Sequence, residues 1–202
     1  MIALSPPSMD RYESWAAAVR EFAGLHIDGL GLSDGTPADR DSCQELVAKS
    51  IISADVSRPL TDGRVHCDYY WIIDGPDESA QPAAGGPDGS ADVVGFIALR
   101  HRLNDFLADV GGHIGYSVRP SRRRQGIAST ALRLTLDRAR QIGLERVLIT
   151  CDDSNVGSFR TIEGCGGVLQ DVRDRPEHGY GLVRRYWIEL ADRTRETERE
   201  TE

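Results

Sequence analysis

The sequence predicts one α/β or α+β domain: two helices come first, then strands crossed by two further helices. Three observations carry this. Residues 125–143 place Ala128, Leu132, Leu136 and Ala139 on a single apolar stripe at helical spacing, with Arg133, Asp137, Arg140 and Gln141 opposite it. Residues 146–151, RVLITC, form a short apolar run of buried-strand length. Residues 68–74 and 93–100 are rich in aromatic and β-branched side chains, as strands are.

In chain order, residues 6–24 read as a first helix, with Ser8 as its cap and Gly24 as its stop. Residues 37–56 read as a second, with Leu46, Val47 and Ile51 on one side. The strand at 68–74 ends in Asp74-Gly75-Pro76, a turn signal. Residues 75–92, rich in Gly, Pro, Ala and Asp and without an apolar period, read as a flexible insertion before the strand at 93–100. A strand at 111–120 is led in by two glycines and stopped by Pro120. After the helix at 125–143 and the strand at 146–151, residues 153–164 read as a short helix capped by Ser154 or Asp153. Strands at 166–172 and 180–190 follow. The expected organisation is one domain over 1–190 and a charged tail at 191–202.

Composition narrows the function. The net charge of −8 opposes broad nucleic-acid binding, which needs a basic face. Residues 1–10 lack the pattern of a signal peptide, and no apolar run spans a membrane. Cys43, Cys67, Cys151 and Cys165 show neither a CxxC pairing nor a zinc-ligand spacing with histidine. The reading is a cytoplasmic protein with reduced thiols, no metal and no membrane partner.

The segment VRPSRRRQGIAST, 118–130, concentrates positive charge in an acidic chain. Two readings are open: a solvated loop, or a site for an anion. A strand ends at Val118, and Gly126 opens a helix whose first N–H groups lack internal partners. Those groups and the helix dipole suit a phosphate or pyrophosphate, and Gly126 lets a ligand approach the backbone. Arg123 and Arg124 supply charge at the rim. Neither a GxGxxG fingerprint nor a GK[ST] loop is present.

VRPSRRRQGIA resembles the signature of the GNAT superfamily of acyl-CoA N-acyltransferases, Q/R-x-x-G-x-G/A, here met by Arg123, Gly126 and Ala128. Asn155 and Ser158 after the strand VLITC resemble the family's N-x-x-S/A, and IEGCGG with Gly164 and Gly166 resembles the segment before the sixth strand. The resemblance covers 93–190 and extends to a bacterial group described as predicted acetyltransferases. It implies a mixed, mostly antiparallel sheet with a central parallel strand pair splayed at the acetyl-CoA site and flanked by helices. It also implies acetyl-CoA as co-substrate, held at its pyrophosphate by the N–H groups of Gln125, Gly126, Ile127, Ala128 and Ser129. Backbone at Ser117 and Val118 would pair with the pantetheine arm, and Asn155 and Ser158 would contact the cofactor.

Acetyl transfer to an amine needs loss of an amine proton, a donor for the thioester oxygen and a donor for the leaving thiolate. The family's frequent tyrosine, seven residues after the asparagine, is Ile162 here. The family often has a carboxylate base in the strand before this loop, and a count back from Gly126 puts that position at His113, give or take one; His113 is either that base or a structural histidine bonded to backbone. Tyr116 is a donor, a core residue or a pocket wall. Arg100, His101, Arg102 and Asn104 form either a charged hairpin loop or a recognition site for an acceptor carboxylate. The expected reaction is direct attack by a primary amine of a small molecule or peptide in a ternary complex, with room for a homodimer. The alternative is a non-catalytic acyl-CoA-binding or sensing module.

Overall fold

The computed structural model describes residues 1–75 and 91–190. Nearly all of the insertion expected at 75–92, and the whole tail at 191–202, lie outside the described residues. Strand β1, Ile2–Ser5, is followed by a turn of 3-10 helix at Met9–Arg11 and by α1, Tyr12–Glu21. The sequence reading missed β1, which is four residues long and abuts Pro6-Pro7. Ser8 caps the 3-10 turn by accepting from the Asp10 N–H at 3.3 Å. Helix α2, Arg40–Ala54, is capped by Asp39, which accepts from the Ser42 N–H at 2.9 Å.

The buried face of α2 is not the expected one. Ser42, Cys43, Leu46 and Ser50 face inward, Val47 is half-buried, and Ile51 is 67% exposed. Cys43 and Leu46 pack in the core with Trp15 and Trp71, and at the edge of this face the Lys49 ammonium donates to the Gly31 carbonyl and lies over the Tyr69 ring.

Strands β2 (Cys67–Asp74), β3 (Asp92–Arg100) and β4 (Ile114–Val118) join β1 in an antiparallel sheet of order β1-β2-β3-β4. Helices α1 and α2 cover one face of it, where Trp15 stacks on Trp71 at 6.4 Å between centroids. Helix α3, Ile127–Gln141, then leads to β5 (Arg146–Asp152), α4 (Val156–Gly164), β6 (Val168–Asp174) and β7 (Leu182–Glu189). The last three strands form a second antiparallel sheet, of order β5-β7-β6.

Helix α3 lies under both sheets. Its buried face is Ile127, Ala131, Leu132, Thr135, Leu136 and Ala139, packed with Ile72, Val94 and Ile97 of one sheet and Val147, Ile149 and Ile188 of the other. Each large aliphatic side chain buried this way contributes about 1.5–3 kcal/mol. The predicted stripe holds except at Ala128, which is half-buried; Ile127 takes its place. The opposite residues Arg133, Asp137, Arg140 and Gln141 are exposed as expected.

The mixed, largely antiparallel architecture follows the sequence reading, and so does the splay. Among the described residues no strand ladder joins β4 to β5. They meet where the His113 N–H donates to the Leu148 carbonyl at 2.7 Å. Beyond that junction, Tyr116 reaches Ser158, which follows β5, so both strands leave the junction in the same direction. Gly112 makes the junction possible: its φ is +62°, and a Cβ there would lie 2.7 Å from the Leu148 carbonyl oxygen.

Candidate active site

The start of α3 is built almost entirely from backbone. Gly126 is its N-cap residue, with φ +76° and ψ 0°, and no side chain caps the helix. The Thr130 N–H donates to the Gly126 carbonyl at 3.0 Å, so the N–H groups before Thr130 are the ones a helix leaves without internal partners. Gln125 and Gly126 are exposed, Ile127 is buried, and Ala128 and Ser129 are half-buried. A Cβ on Gly126 would meet nothing within 4 Å, so the space in front of the helix is open. These groups fit an anion of pyrophosphate size.

Two acidic residues that the sequence reading did not single out hold this loop in place. Glu21, at the end of α1, pairs with the Arg119 guanidinium and accepts from the Ser121 N–H at 2.6 Å. Arg119, and then Ser121, push the Glu21 carboxyl down to about 2. Asp74, at the end of β2, pairs with Arg122. No local pattern announces either contact, since the partners are 98 and 48 residues apart.

The three consecutive arginines therefore divide. Arg122 is an anchor. Arg123 donates from Nε to the Val118 carbonyl at 3.1 Å and lies over the Phe22 ring. Arg124 is exposed, with φ +61°.

Behind the loop, β4 borders the gap to β5. Arg119 N–H bonds to Val94 and Arg100 N–H bonds to His113, and the register between them is unbroken. By alternation, the backbone groups of Gly115 and Ser117 point to β3, and those of Ile114, Tyr116 and Val118 point to the gap. Of the expected pair, Val118 thus faces the gap and Ser117 does not.

The Tyr116 hydroxyl lies 3.1 Å from the Ser158 Oγ, and burial pushes its phenol up to about 12. Asn155 is the N-cap of α4, in place of the expected Ser154 or Asp153: its side chain accepts from the Ser158 N–H at 3.1 Å. Ile162, where the family often has a tyrosine, is fully buried in the core.

His113 takes the structural alternative. It is 6% exposed, and its Nδ1 accepts from the Leu148 N–H at 2.9 Å. That bond leaves the ring hydrogen on Nε2, so neither nitrogen is free to take a proton. Burial, and then the charge of Arg100, push the imidazole down to about 4.

The proposed acceptor contacts are also bonded internally. Arg100 donates from Nη1 to the Gly111 and Gly112 carbonyls at 2.8 and 3.2 Å. His101 lies 3.0 Å from Asp68, which also binds Arg138 at 2.9 Å. Burial alone would raise the Asp68 carboxyl; His101 and Arg138 outweigh it and hold the group below its usual range. Asn104 donates to the Gly63 carbonyl and accepts from the Leu107 N–H, both at 2.9 Å. These side chains brace the entry to β4 rather than converge on one point.

Among the described residues, Asp109, Glu177 and His178 are close enough together to hold a cation. Arg175 and Arg173 already lie 2.5 and 3.6 Å from Asp109 and supply positive charge there. No helix among the described residues is long and apolar enough to cross a membrane.

The family model of the acetyltransferase (GNAT) domain matches residues 9–168. No curated protein matches the sequence. The fold is similar to that of Mycobacterium smegmatis RimJ in complex with CoA-disulfide, with TM-score 0.65 and 18% identity over 93% of this chain and 81% of that one. It is also similar to the Salmonella typhimurium acetyltransferase that modifies the N-terminal serine of the 50S ribosomal subunit protein L7/L12, with TM-score 0.63 and 15% identity over 94% and 95% of the two chains. A third similar structure is the microcin C7 self-immunity acetyltransferase MccE in complex with acetyl-CoA and AMP, with TM-score 0.61 and 15% identity over 93% and 92%.

Proposed function

Because the chain belongs to the GNAT acetyltransferase family, we propose that it moves the acetyl group of acetyl-CoA to a primary amine by direct attack in a ternary complex. One observation carries this reading. The uncapped start of α3 opens beside a gap between β4 and β5, and that gap is lined by the backbone of Val118 and Tyr116. Backbone N–H groups at 125–129 would bind the pyrophosphate, with Arg124, and Arg123 after a small rotation, at the rim. Val118 and Tyr116 would pair with the amides of the pantetheine arm as a neighbouring strand does. Ser158, at the first turn of α4, would border the arm, while Asn155 fixes that turn.

The acceptor is a small-molecule or peptide amine, and protein α-amines are the first class to test. RimJ and the L7/L12 acetyltransferase are among the similar structures. A cytoplasmic, reducing setting suits the four free thiols. With His113 bonded to Leu148, the reading assigns no side chain as base: the amine loses its proton to water.

The second reading, an acyl-CoA-binding module without turnover, is favoured by Ile162 and by the occupied His113. Calorimetry with coenzyme A, followed by thiol release from acetyl-CoA across a panel of amines and N-terminal peptides, tests both. Binding with turnover of at least one amine supports the transferase. Binding without turnover of any supports the module, and no binding removes both.

A further inference from the structure

We propose that the Tyr116 hydroxyl is the hydrogen-bond donor to the departing coenzyme A sulfur. The inference rests on the transferase reading above and fills a role that reading leaves open, the donor to the leaving sulfur. Tyr116 lies in the middle of β4, with its backbone at the gap and its ring on the side of α3 and α4. A ligand fixed at the start of α3 and paired along β4 from Val118 passes Tyr116 after about two residues of strand, at roughly 3.3 Å per residue. Its far end is then level with this side chain.

The nearby hydroxyls differ in what they have left to give. Thr161 donates to the Gly157 carbonyl at 2.8 Å within its own helix. Ser158 and Tyr116 share one contact, at 3.1 Å. When the Ser158 Oγ–H donates to the phenol oxygen, the phenol hydrogen is held only by a long contact of 3.3 Å to the Ser158 carbonyl. A sulfur anion in the gap is a stronger acceptor than that carbonyl contact.

In the step itself, the amine nitrogen bonds to the thioester carbon and the carbon–sulfur bond breaks. The amine's proton passes to water, and the sulfur leaves as a thiolate. Tyr116 keeps its proton, because burial has made the phenol a weak acid, and stabilises the anion through the hydrogen bond alone. The titratable groups around the phenol are the thiols of Cys151 on β5 and Cys165 after α4. Burial pushes both up, Cys151 to about 11, which favours their neutral forms beside the phenol.

The test is a pH titration of coenzyme A bound to the full chain, followed by thiolate absorbance, in the wild type and in Tyr116→Phe. The expected result is a bound-thiol pKa higher by about one unit in the variant. Coenzyme affinity should stay within about twofold, and turnover should fall roughly 100-fold, the scale of one lost donor to a developing anion. Ser158→Ala, which removes the hydroxyl that polarises the phenol, should shift the thiol the same way by less. An unchanged thiol pKa in both variants, with coenzyme A bound, overturns the role of Tyr116. Absence of coenzyme binding in the wild type overturns it as well, by removing the transferase reading beneath it.

Discussion

At the start of α3 the groups offered to a ligand are backbone N–H groups; at the entry to β4 the polar groups are side chains already bonded to the protein. Gly126, with φ +76°, leaves the helix end open. His113, Arg100, His101 and Asn104 instead bind Leu148, the 111–112 carbonyls, Asp68, and the Gly63 and Leu107 backbone. The difference teaches what kind of site a sequence can announce. A backbone site needs a glycine, a helix start and nearby charge, all of them local. A side-chain site depends on which way each group turns, and the tertiary structure decides that.

His113→Ala tests the contrast most severely, because it leaves the Leu148 N–H buried without an acceptor. Chemical denaturation should show a loss of about 1–3 kcal/mol, while turnover per folded molecule stays near that of the wild type. His113→Asn, with an acceptor oxygen near the place of Nδ1, should recover part of the loss. The wild type should also lose stability as the pH falls from about 6.5 to about 4, because the unfolded chain then binds a proton that buried His113 refuses. The alanine variant should lack that component. A turnover collapse at every pH in the folded variant would make His113 a catalytic group after all.

Gly126→Val comes next. A branched side chain would enter the open space, on a backbone that only glycine adopts readily. Calorimetry should show coenzyme A binding weaker by at least about tenfold, or 1.4 kcal/mol. Unchanged affinity in a folded variant would dissolve the contrast from the other side.

Glu21→Gln should weaken binding roughly fivefold, since the amide cannot hold both Arg119 and Ser121 as the carboxylate does. The Glu21 carboxyl is held below its ordinary value, so its contribution is present above about 4.5 and is lost as the pH falls toward 2. Acid unfolding of the variant should lack that component; an identical acid profile would mean that Glu21 does not anchor the loop. The smallest effect belongs to Arg123→Ala with Arg124→Ala: about a twofold loss of affinity and a flatter dependence on salt. A salt slope equal to that of the wild type would mark both arginines as solvated.

Legibility of the fold followed the same division. The α3 stripe and the buried strand at Val147, Leu148 and Ile149 could be read because their periodicity is set by one large core. The inward face of α2 could not, because small residues, Ser42, Cys43 and Ser50, make up most of it, while the apolar Ile51 is left exposed. Glu21 and Asp74 were illegible as loop anchors, since nothing within a few residues of either points to arginines so far along the chain. Ser117 and Val118 looked equivalent until the hydrogen bonds of β4 to β3 fixed which of the two turns toward the gap.

The gap between β4 and β5 also bears on how long the folded molecule lasts. Among the described residues the two sheets share a core and one backbone–backbone hydrogen bond, so on the proposed reading an extended ligand that binds only the folded chain would close the seam between them. By mass action, a ligand at a hundred times its dissociation constant would add about 2.7 kcal/mol to the unfolding free energy. The melting temperature would then rise with the logarithm of ligand concentration. On that reading the ligand's concentration would set part of the protein's stability, and the folded fraction would fall as the ligand is withdrawn.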